Sequence, residues 1–238
     1  MTQDTPPPSQ PGALSRRQTL LLPAVLAGVA PLSAAAQAET VDLLLVLAID
    51  ASGSIDTDEF RLQREGCAEA LVHPAVLSAI ASRPQGVIGV ALVEWGAPGG
   101  AATVVDWHRV NGLASAERLA AAVMDAPRSS QSWNAIGDAV DHAAGLIAAA
   151  PWQAVERVID VSGDGPDMRG YRSVEAARRD AAAQGITVNA LAIEDRRSGL
   201  AATYEATVIA GVGAFVMTAE SRADFARALR AKLVREIA

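Results

Sequence analysis

Short apolar runs typical of buried strands alternate with amphipathic stretches typical of helices from about residue 40 to the end of the chain. Strands that alternate with helices predict an α/β fold with a mainly parallel sheet between two layers of helices. The predicted strands cover residues 42–49, 86–96, 102–110, 157–163, 186–193 and 214–219. The predicted helices cover residues 56–71, 116–126, 135–150, 173–185, 199–210 and 223–237.

Two parts of this pattern refine the fold class. The run at 42–49 is apolar without interruption, which indicates a strand covered on both faces. The segments 86–96 and 102–110 are joined by a loop that contains Pro-Gly-Gly, which predicts a hairpin. The sequence therefore predicts a three-layer, doubly wound sheet that is mostly parallel and has one antiparallel edge strand.

The first 38 residues have the layout of an export signal. Arg16 and Arg17 precede an apolar stretch, and small residues end at Ala38 in an A-x-A cleavage pattern. Ser-Arg-Arg directly before the apolar stretch favours the twin-arginine route, with the general secretory route as the alternative. We therefore predict cleavage after Ala38 and a single mature domain over residues 39–238.

The apolar stretch of this signal is short and is interrupted by Pro23 and Pro31, which is unfavourable for a membrane-spanning helix. The prediction is a periplasmic or secreted protein with no stable membrane insertion after cleavage. A retained N-terminal anchor is the alternative.

Composition narrows the classes of partner. The chain has 20 Lys and Arg against 27 Asp and Glu, a net charge of −7, which argues against nucleic acid or an anionic membrane as the main partner. Cys67 is the only cysteine, so the chain forms no internal disulfide. Its helical setting predicts a packed structural thiol.

Oxygen side chains follow two predicted strands. Asp50, Ser52 and Ser54 come after the strand at 42–49, and Asp164 comes after the strand at 157–163. In open α/β sheets, ligands bind outside the carboxyl ends of the strands. Turn formation or helix capping explains any one of these residues. A hard divalent cation explains the set, because such cations prefer oxygen ligands.

Covalent catalysis by one of these serines is a weak alternative. The chain lacks the G-x-S-x-G pentad of α/β hydrolases. The three histidines are His73 at a break between helices, His108 in a predicted edge strand and His142 in a predicted helix, so none follows a strand on the ligand side. No catalytic residue is assigned, and we expect a protein that is not an enzyme.

Three motifs resemble those of von Willebrand factor A-type domains. Residues 50–54, DASGS, match the D-x-S-x-S motif; residues 134–140, NAIGDAV, are similar to the second motif; and residues 162–165, SGDG, resemble the third. The likeness covers nearly all of residues 40–238. It implies the family's α/β fold and its metal-ion-dependent adhesion site.

The resemblance assigns roles at that site. Ser52 and Ser54 would ligate Mg²⁺ directly, and Asp50 and Asp164 would act through water or hydrogen bonds. Asn134 stands where the family usually has a threonine ligand, and its amide oxygen is also a hard ligand. Mn²⁺ and Ca²⁺ are alternative ions, and Ser130 and Ser132 are alternative ligands.

The function implied is a metal-dependent protein-binding module, an adaptor or sensor in which an acidic side chain of another exported protein completes the ion's coordination. Trp133, beside the ligand loop, is a candidate for partner contact. Three alternatives remain: a metal-assisted hydrolase, which would need a general base; a binding protein with a metal-free relic of the site; and a small-ligand binding protein, which would need a deep apolar pocket.

Overall fold

The computed structural model describes residues 39–195 and 198–238. The predicted export signal, residues 1–38, and its cleavage after Ala38 lie outside the described residues.

The described residues form one six-stranded sheet with the order β3-β2-β1-β4-β5-β6. All neighbouring pairs are parallel except β2 and β3, which form the predicted antiparallel hairpin at the edge. The three-layer fold with one antiparallel edge strand is thus confirmed. The strands are β1 (Thr40–Asp50), β2 (Ile88–Trp95), β3 (Ala102–Val110), β4 (Gln153–Gly163), β5 (Thr187–Ile193) and β6 (Val216–Ala219).

In the part of the chain that the structure describes, seven helices cover the two faces of the sheet. The helices are α1 (Thr57–Val72), α2 (Pro74–Ser82), α3 (Leu113–Asp125), α4 (Ile136–Ala148), α5 (Val174–Ala183), α6 (Leu200–Thr207) and α7 (Phe225–Ile237). A short 3₁₀ turn over Arg222–Asp224 precedes α7. Within residues 39–195 and 198–238, no helix has both the length and the apolar character that crossing a membrane requires.

Helix α2 was not predicted as a separate element. Its Pro74 occupies the first helical turn, and the Nδ1 atom of His73 accepts a hydrogen bond from the Ala75 amide, so a proline starts this helix rather than breaking it. Strand β4 also begins four residues earlier than predicted, at Gln153, because its polar first half extends beyond the core and stays largely exposed.

The uninterrupted apolar run of β1 fills two cores. Leu43, Leu45 and Leu47 face one core, to which α1, α2, α3 and α7 contribute. Leu44 and Val46 face the other core, to which α4, α5 and α6 contribute. Successive side chains of a strand point to opposite faces. A strand that is covered by helices on both faces therefore needs apolar residues at nearly every position. Cys67 lies fully buried in the first core, as predicted, and burial raises the pKa of its thiol.

The register of the central strands determines where the candidate residues meet. In β1, Ile49 pairs with Ser162 of β4, so Asp50 at the end of β1 and Asp164 just after β4 reach the same edge of the sheet. On its other side Asp50 pairs with Trp95 of β2. Because β1 lies between β2 and β4, this edge is a topological switch point, where open α/β sheets bind ligands.

A candidate metal-binding cleft

Asp50 is the last residue of β1 and is hydrogen-bonded to the turn that carries the two serines. Its side chain is fully buried, and Oδ1 accepts a hydrogen bond of 2.8 Å from the Ser52 amide. The other oxygen, Oδ2, is buried and makes no hydrogen bond of normal geometry. Burial raises the pKa of Asp50 to about 7, against the lowering effect of its hydrogen bonds to Ser52. Burial of a carboxylate oxygen without a hydrogen-bond partner lowers the stability of the fold unless a cation or another positively charged group lies near it.

Ser52 and Ser54 lie above Asp50 with their hydroxyls directed toward each other. Their Oγ atoms are 3.0 Å apart, and the Ser54 hydroxyl donates a 3.3 Å hydrogen bond to Oδ1 of Asp164. The backbone turn is closed by a hydrogen bond from the Ile55 amide to the Ser52 carbonyl. The structure thus brings together the four oxygen side chains that the two strand ends were predicted to supply.

Asp164 forms an ion pair with an arginine that the sequence analysis did not predict as part of the site. Arg222, in the 3₁₀ turn before α7, is buried and donates a 2.5 Å hydrogen bond from its guanidinium to Oδ2 of Asp164. Its Nε atom lies 2.8 Å from Oε1 of Glu59 on α1. The hydroxyl of Tyr204 donates to the carbonyl of Gly165, which fixes the loop that carries Asp164.

Asn134 lines the same cleft and is buried. Its Nδ2 atom donates a hydrogen bond of 3.4 Å to the Pro166 carbonyl, so Oδ1 is the amide atom that could bind a cation. Ser132 also lines the cleft, whereas Ser130 does not belong to its lining. The Gly53 amide donates to the Ser132 carbonyl, which joins the first motif to the second-motif loop.

Two charged residues, the exposed Arg128 and the buried Glu94, support these loops and were missed by the sequence analysis. Arg128 donates hydrogen bonds to the carbonyls of Ala51 and Ile55, which brace the turn that carries the two serines. Glu94 accepts a hydrogen bond from the Ser129 amide and is paired with Arg64. An acidic residue in the otherwise apolar β2 was the one signal that could have indicated a buried ion pair.

The resulting cleft has a volume of about 310 Å³ and a lining that is partly polar and partly apolar. Trp133, the candidate for partner contact, is at its border with 46% of its surface exposed. The hydroxyls, the amide and the carboxylate in its lining distinguish it from small-molecule pockets, which are lined predominantly by apolar side chains. Its lining consists of Ser52, Ser54, Ser132, Trp133, Asn134, Asp164, Gly165 and Met168.

Residues 40–238 match the family described as protein of unknown function, DUF1194. The chain belongs to the DUF1194 family. A search of curated proteins gave no match.

Solved structures relate the DUF1194 fold to other proteins. One is proximal thread matrix protein 1 from the mussel byssus, which was solved with a zinc-occupied MIDAS motif. Its sequence is 15% identical to this chain, the TM-score is 0.59, and the match covers 84% of this chain and 46% of that chain. The vWF domain of the type V pili tip protein Mfa5 from Porphyromonas gingivalis is 12% identical with a TM-score of 0.58, over 83% and 95% of the two chains.

A von Willebrand factor type A structure from Catenulispora acidiphila is 16% identical with a TM-score of 0.58, over 83% of this chain and 43% of that chain. The DUF1194 chain spans about half the length of the mussel protein. At these identities the likeness establishes the fold. The von Willebrand factor A-type fold predicted from the three motifs is confirmed.

The residues of the DUF1194 cleft fit a small, oxygen-liganded divalent cation. An octahedral ion with ligands at about 2.1 Å places adjacent ligands about 3 Å apart, and the two serine Oγ atoms are 3.0 Å apart. Residues 39–195 and 198–238 contain no cluster of three or more His, Cys, Asp or Glu suited to a metal. A cation here would therefore depend on hydroxyl and amide oxygens near the unpartnered Oδ2 of Asp50.

The three histidines of the DUF1194 chain have structural roles away from the cleft. His73 begins α2, and the His108 ring bonds the Asp106 carbonyl on the edge strand. His142 on α4 bonds the Thr103 hydroxyl, and burial lowers the pKa of its ring. Among the described residues, no histidine lines the cleft.

Proposed function

We propose that the DUF1194 domain is a non-enzymatic module that binds a protein partner through a divalent cation held in the cleft. The observation that carries this proposal is the hydroxyl pair of Ser52 and Ser54, at octahedral-edge spacing, beside Asp164 and above the unpartnered carboxylate oxygen of Asp50. This is the donor set of a hard cation that is not saturated by protein carboxylates.

Each residue has a distinct task in this proposal. Ser52, Ser54 and Asn134 supply neutral oxygens to the ion, and Asp50 and Asp164 provide the negative charge around it. The ion supplies an electrophilic position that an aspartate or glutamate of the partner can occupy. Mg²⁺ is the expected ion because it takes few protein ligands and keeps open positions; Mn²⁺ and Ca²⁺ are the alternatives.

The partner in this proposal is another exported protein, and the module acts as its adaptor or sensor in the periplasm or outside the cell. The layout of residues 1–38 supports export. Proteins of the same fold include the pilus adhesin SpaC from Lactobacillus rhamnosus GG and the pili tip protein Mfa5. A metal-assisted hydrolase is less well supported, because a general base would have to act from the cleft and none of the described residues that line it is a histidine.

One observation favours a second candidate, a binding protein whose site works without a cation. The ion pair between Arg222 and Asp164 already balances one of the two carboxylates. In that case the cleft would be a hydrogen-bond network, and its binding would not depend on a metal.

Affinity capture tests the proposal against this second candidate. The protein, immobilised in magnesium buffer, is exposed to an envelope extract, and bound proteins are identified by mass spectrometry. We expect a partner that EDTA releases and that Ser54→Ala bait fails to retain, while Asp58→Ala bait, changed on the exposed face of α1, retains it. Recovery that is indifferent to EDTA and to Ser54→Ala would support the metal-free candidate.

A further inference from the structure

The border of the cleft, formed by Trp133 and Met168, is apolar, whereas Ser52, Ser54 and Asp164 make the rest of its lining polar. Trp133 and Met168 both line the cleft that holds Ser52, Ser54 and Asp164, and they are 46% and 61% exposed. Both belong to loops whose other residues are mainly polar or small. Exposed large apolar side chains beside a functional cleft mark an interaction surface.

These two side chains are carried by loops that are fixed before any partner arrives. The amides of Met168 and Arg169 both donate to the Asn134 carbonyl, at 2.8 and 3.3 Å. Asp167 Oδ1 accepts a 2.9 Å hydrogen bond from the Ile136 amide at the start of α4, which fixes the same loop from its other side. A surface organised in advance loses little conformational entropy on binding.

The chemistry of the border selects what can lie against it. Tryptophan is a frequent hot-spot residue at interfaces, and methionine adapts its flexible thioether to varied apolar shapes. The guanidinium carbon of Arg169 lies 5.8 Å from the centre of the Trp133 ring, so the same border also presents a positive charge. An acidic segment with a neighbouring apolar side chain matches both features.

We propose that the partner binds through a short acidic segment in which the metal-coordinating Asp or Glu has a large aliphatic or aromatic side chain one or two positions away. That side chain packs against Trp133 and Met168 while the carboxylate enters the cleft. This inference rests on the proposed metal-dependent function, and it adds the sequence preference of the partner. Arg169 favours a segment without positive charge at this position.

Peptide display tests the sequence preference directly. A library of random dodecapeptides is panned on the protein in magnesium buffer, eluted with EDTA and sequenced. We expect the recovered peptides to share an Asp or Glu with Trp, Phe, Leu, Ile or Met one or two positions away. On the double variant Trp133→Ala/Met168→Ala, the acidic residue should remain enriched while the apolar neighbour loses its enrichment.

Binding of one recovered peptide gives the magnitude. The double variant should bind it at least about tenfold more weakly, as expected for loss of a hot-spot contact, while Val212→Ala, an exposed apolar change far along the chain, should leave its affinity unchanged. Metal-dependent thermal stabilisation should be the same in all three proteins. Acidic peptides without an apolar neighbour, or equal binding by the double variant, would overturn the inference and leave the metal site intact. Failure to recover any EDTA-eluted acidic peptide would instead overturn the proposed function.

Discussion

Arg222 and Asp164 form a buried ion pair at 2.5 Å, and this pair places a positive charge behind the carboxylate that faces the cleft. The same guanidinium lies 2.8 Å from Glu59. The guanidinium therefore compensates the charge of Asp164 when no cation is bound, and we expect its positive charge to weaken the attraction of the cleft for a cation. Removing the guanidinium leaves the buried carboxylate of Asp164 and the partly buried carboxylate of Glu59 without this positive charge, and a divalent cation can compensate for the charge of Asp164.

Arg222→Gln should lower stability in EDTA and raise the affinity for Mg²⁺ or Mn²⁺. Breaking a buried pair by removing one partner costs about 3–5 kcal/mol, and each lost positive charge near the ion strengthens its binding. Denaturant unfolding and calorimetric titration measure the two effects. The matched control is Arg227→Gln, because Arg227 is largely exposed and pairs with Asp224 on the surface of α7. Unchanged or weaker metal binding by Arg222→Gln would show that the arginine positions Asp164 rather than opposing the ion.

Variants of Asn134 test whether an amide can take the place of the threonine that is usual in the von Willebrand factor A-type motif, which residues 134–140 resemble. Asn134→Ala removes one oxygen ligand and should weaken cation binding about tenfold, whereas Asn134→Asp adds a charged ligand and should strengthen it. Calorimetric titration measures both. If both variants bind like the wild type, Asn134 is not a ligand, and Ser132→Ala then shows whether Ser132, which lines the same cleft, takes its place.

The glycine of the second motif is explained by close packing. A Cβ atom on Gly137 would lie 2.2 Å from the Arg172 carbonyl oxygen, whereas one on Gly145 of the same helix would have no neighbour within 4 Å. Gly137→Ala should therefore destabilise the protein by about 1–3 kcal/mol, and Gly145→Ala should stabilise it by about 0.5–1 kcal/mol. Urea unfolding of the two variants measures the difference, and similar effects at the two sites would contradict this packing.

Glu236 makes stability depend on pH. Its carboxylate is buried on α7 beside Lys232, Asp160 of β4 and Asn189 of β5. Burial, and to a smaller extent the negative charge of Asp160, raise the pKa of Glu236 from 4.5 to about 7. The folded protein holds this proton up to about pH 7, while the unfolded chain releases it near pH 4.5. Stability in EDTA should therefore fall as pH rises between these values.

Unfolding free energies across this range provide the measurement. When the folded state binds one proton more than the unfolded chain, the free energy of unfolding falls by roughly 1 kcal/mol for each unit by which the pH rises. Glu236→Gln should remove this part of the slope and keep the part due to Asp50, whose pKa burial also raises to about 7. Glu205→Gln, an exposed change on α6, should retain the whole slope. A Glu236→Gln curve parallel to the wild type would contradict the account.

The sequence predicted those parts of the site that depend on local pattern and strand order. An unbroken apolar run, a D-x-S-x-S motif and a second strand ending before Asp164 were sufficient to bring Asp50, Ser52, Ser54 and Asp164 to one edge. Neighbouring parallel strands end at the same edge of the sheet, so this part of the site could be predicted without knowing any contact between distant residues.

The remaining parts depend on contacts between residues far apart in the chain. Arg222 approaches Asp164 across 58 positions and Arg128 reaches Ala51 across 77, and neither arginine stands in a pattern that distinguishes it from a solvated one. Helix α2 was missed because its opening Pro74 was interpreted as a break. The apolar border was predicted only at Trp133. Met168 belongs to a Gly- and Pro-containing loop, and hydrogen bonds such as that from its amide to the Asn134 carbonyl, which the sequence does not reveal, place it at the same cleft.

Metal binding by the serine pair is the central claim, and calorimetric titration tests it most directly. Protein freed of metal with EDTA and then of EDTA is titrated with Mg²⁺ and with Mn²⁺, in parallel with Ser52→Ala and the surface control Asp58→Ala. We predict one saturable site in the wild type and in the control, with affinity reduced at least about tenfold in Ser52→Ala by loss of a direct ligand. Absence of saturable binding to the wild type, or equal binding by Ser52→Ala, would contradict the account.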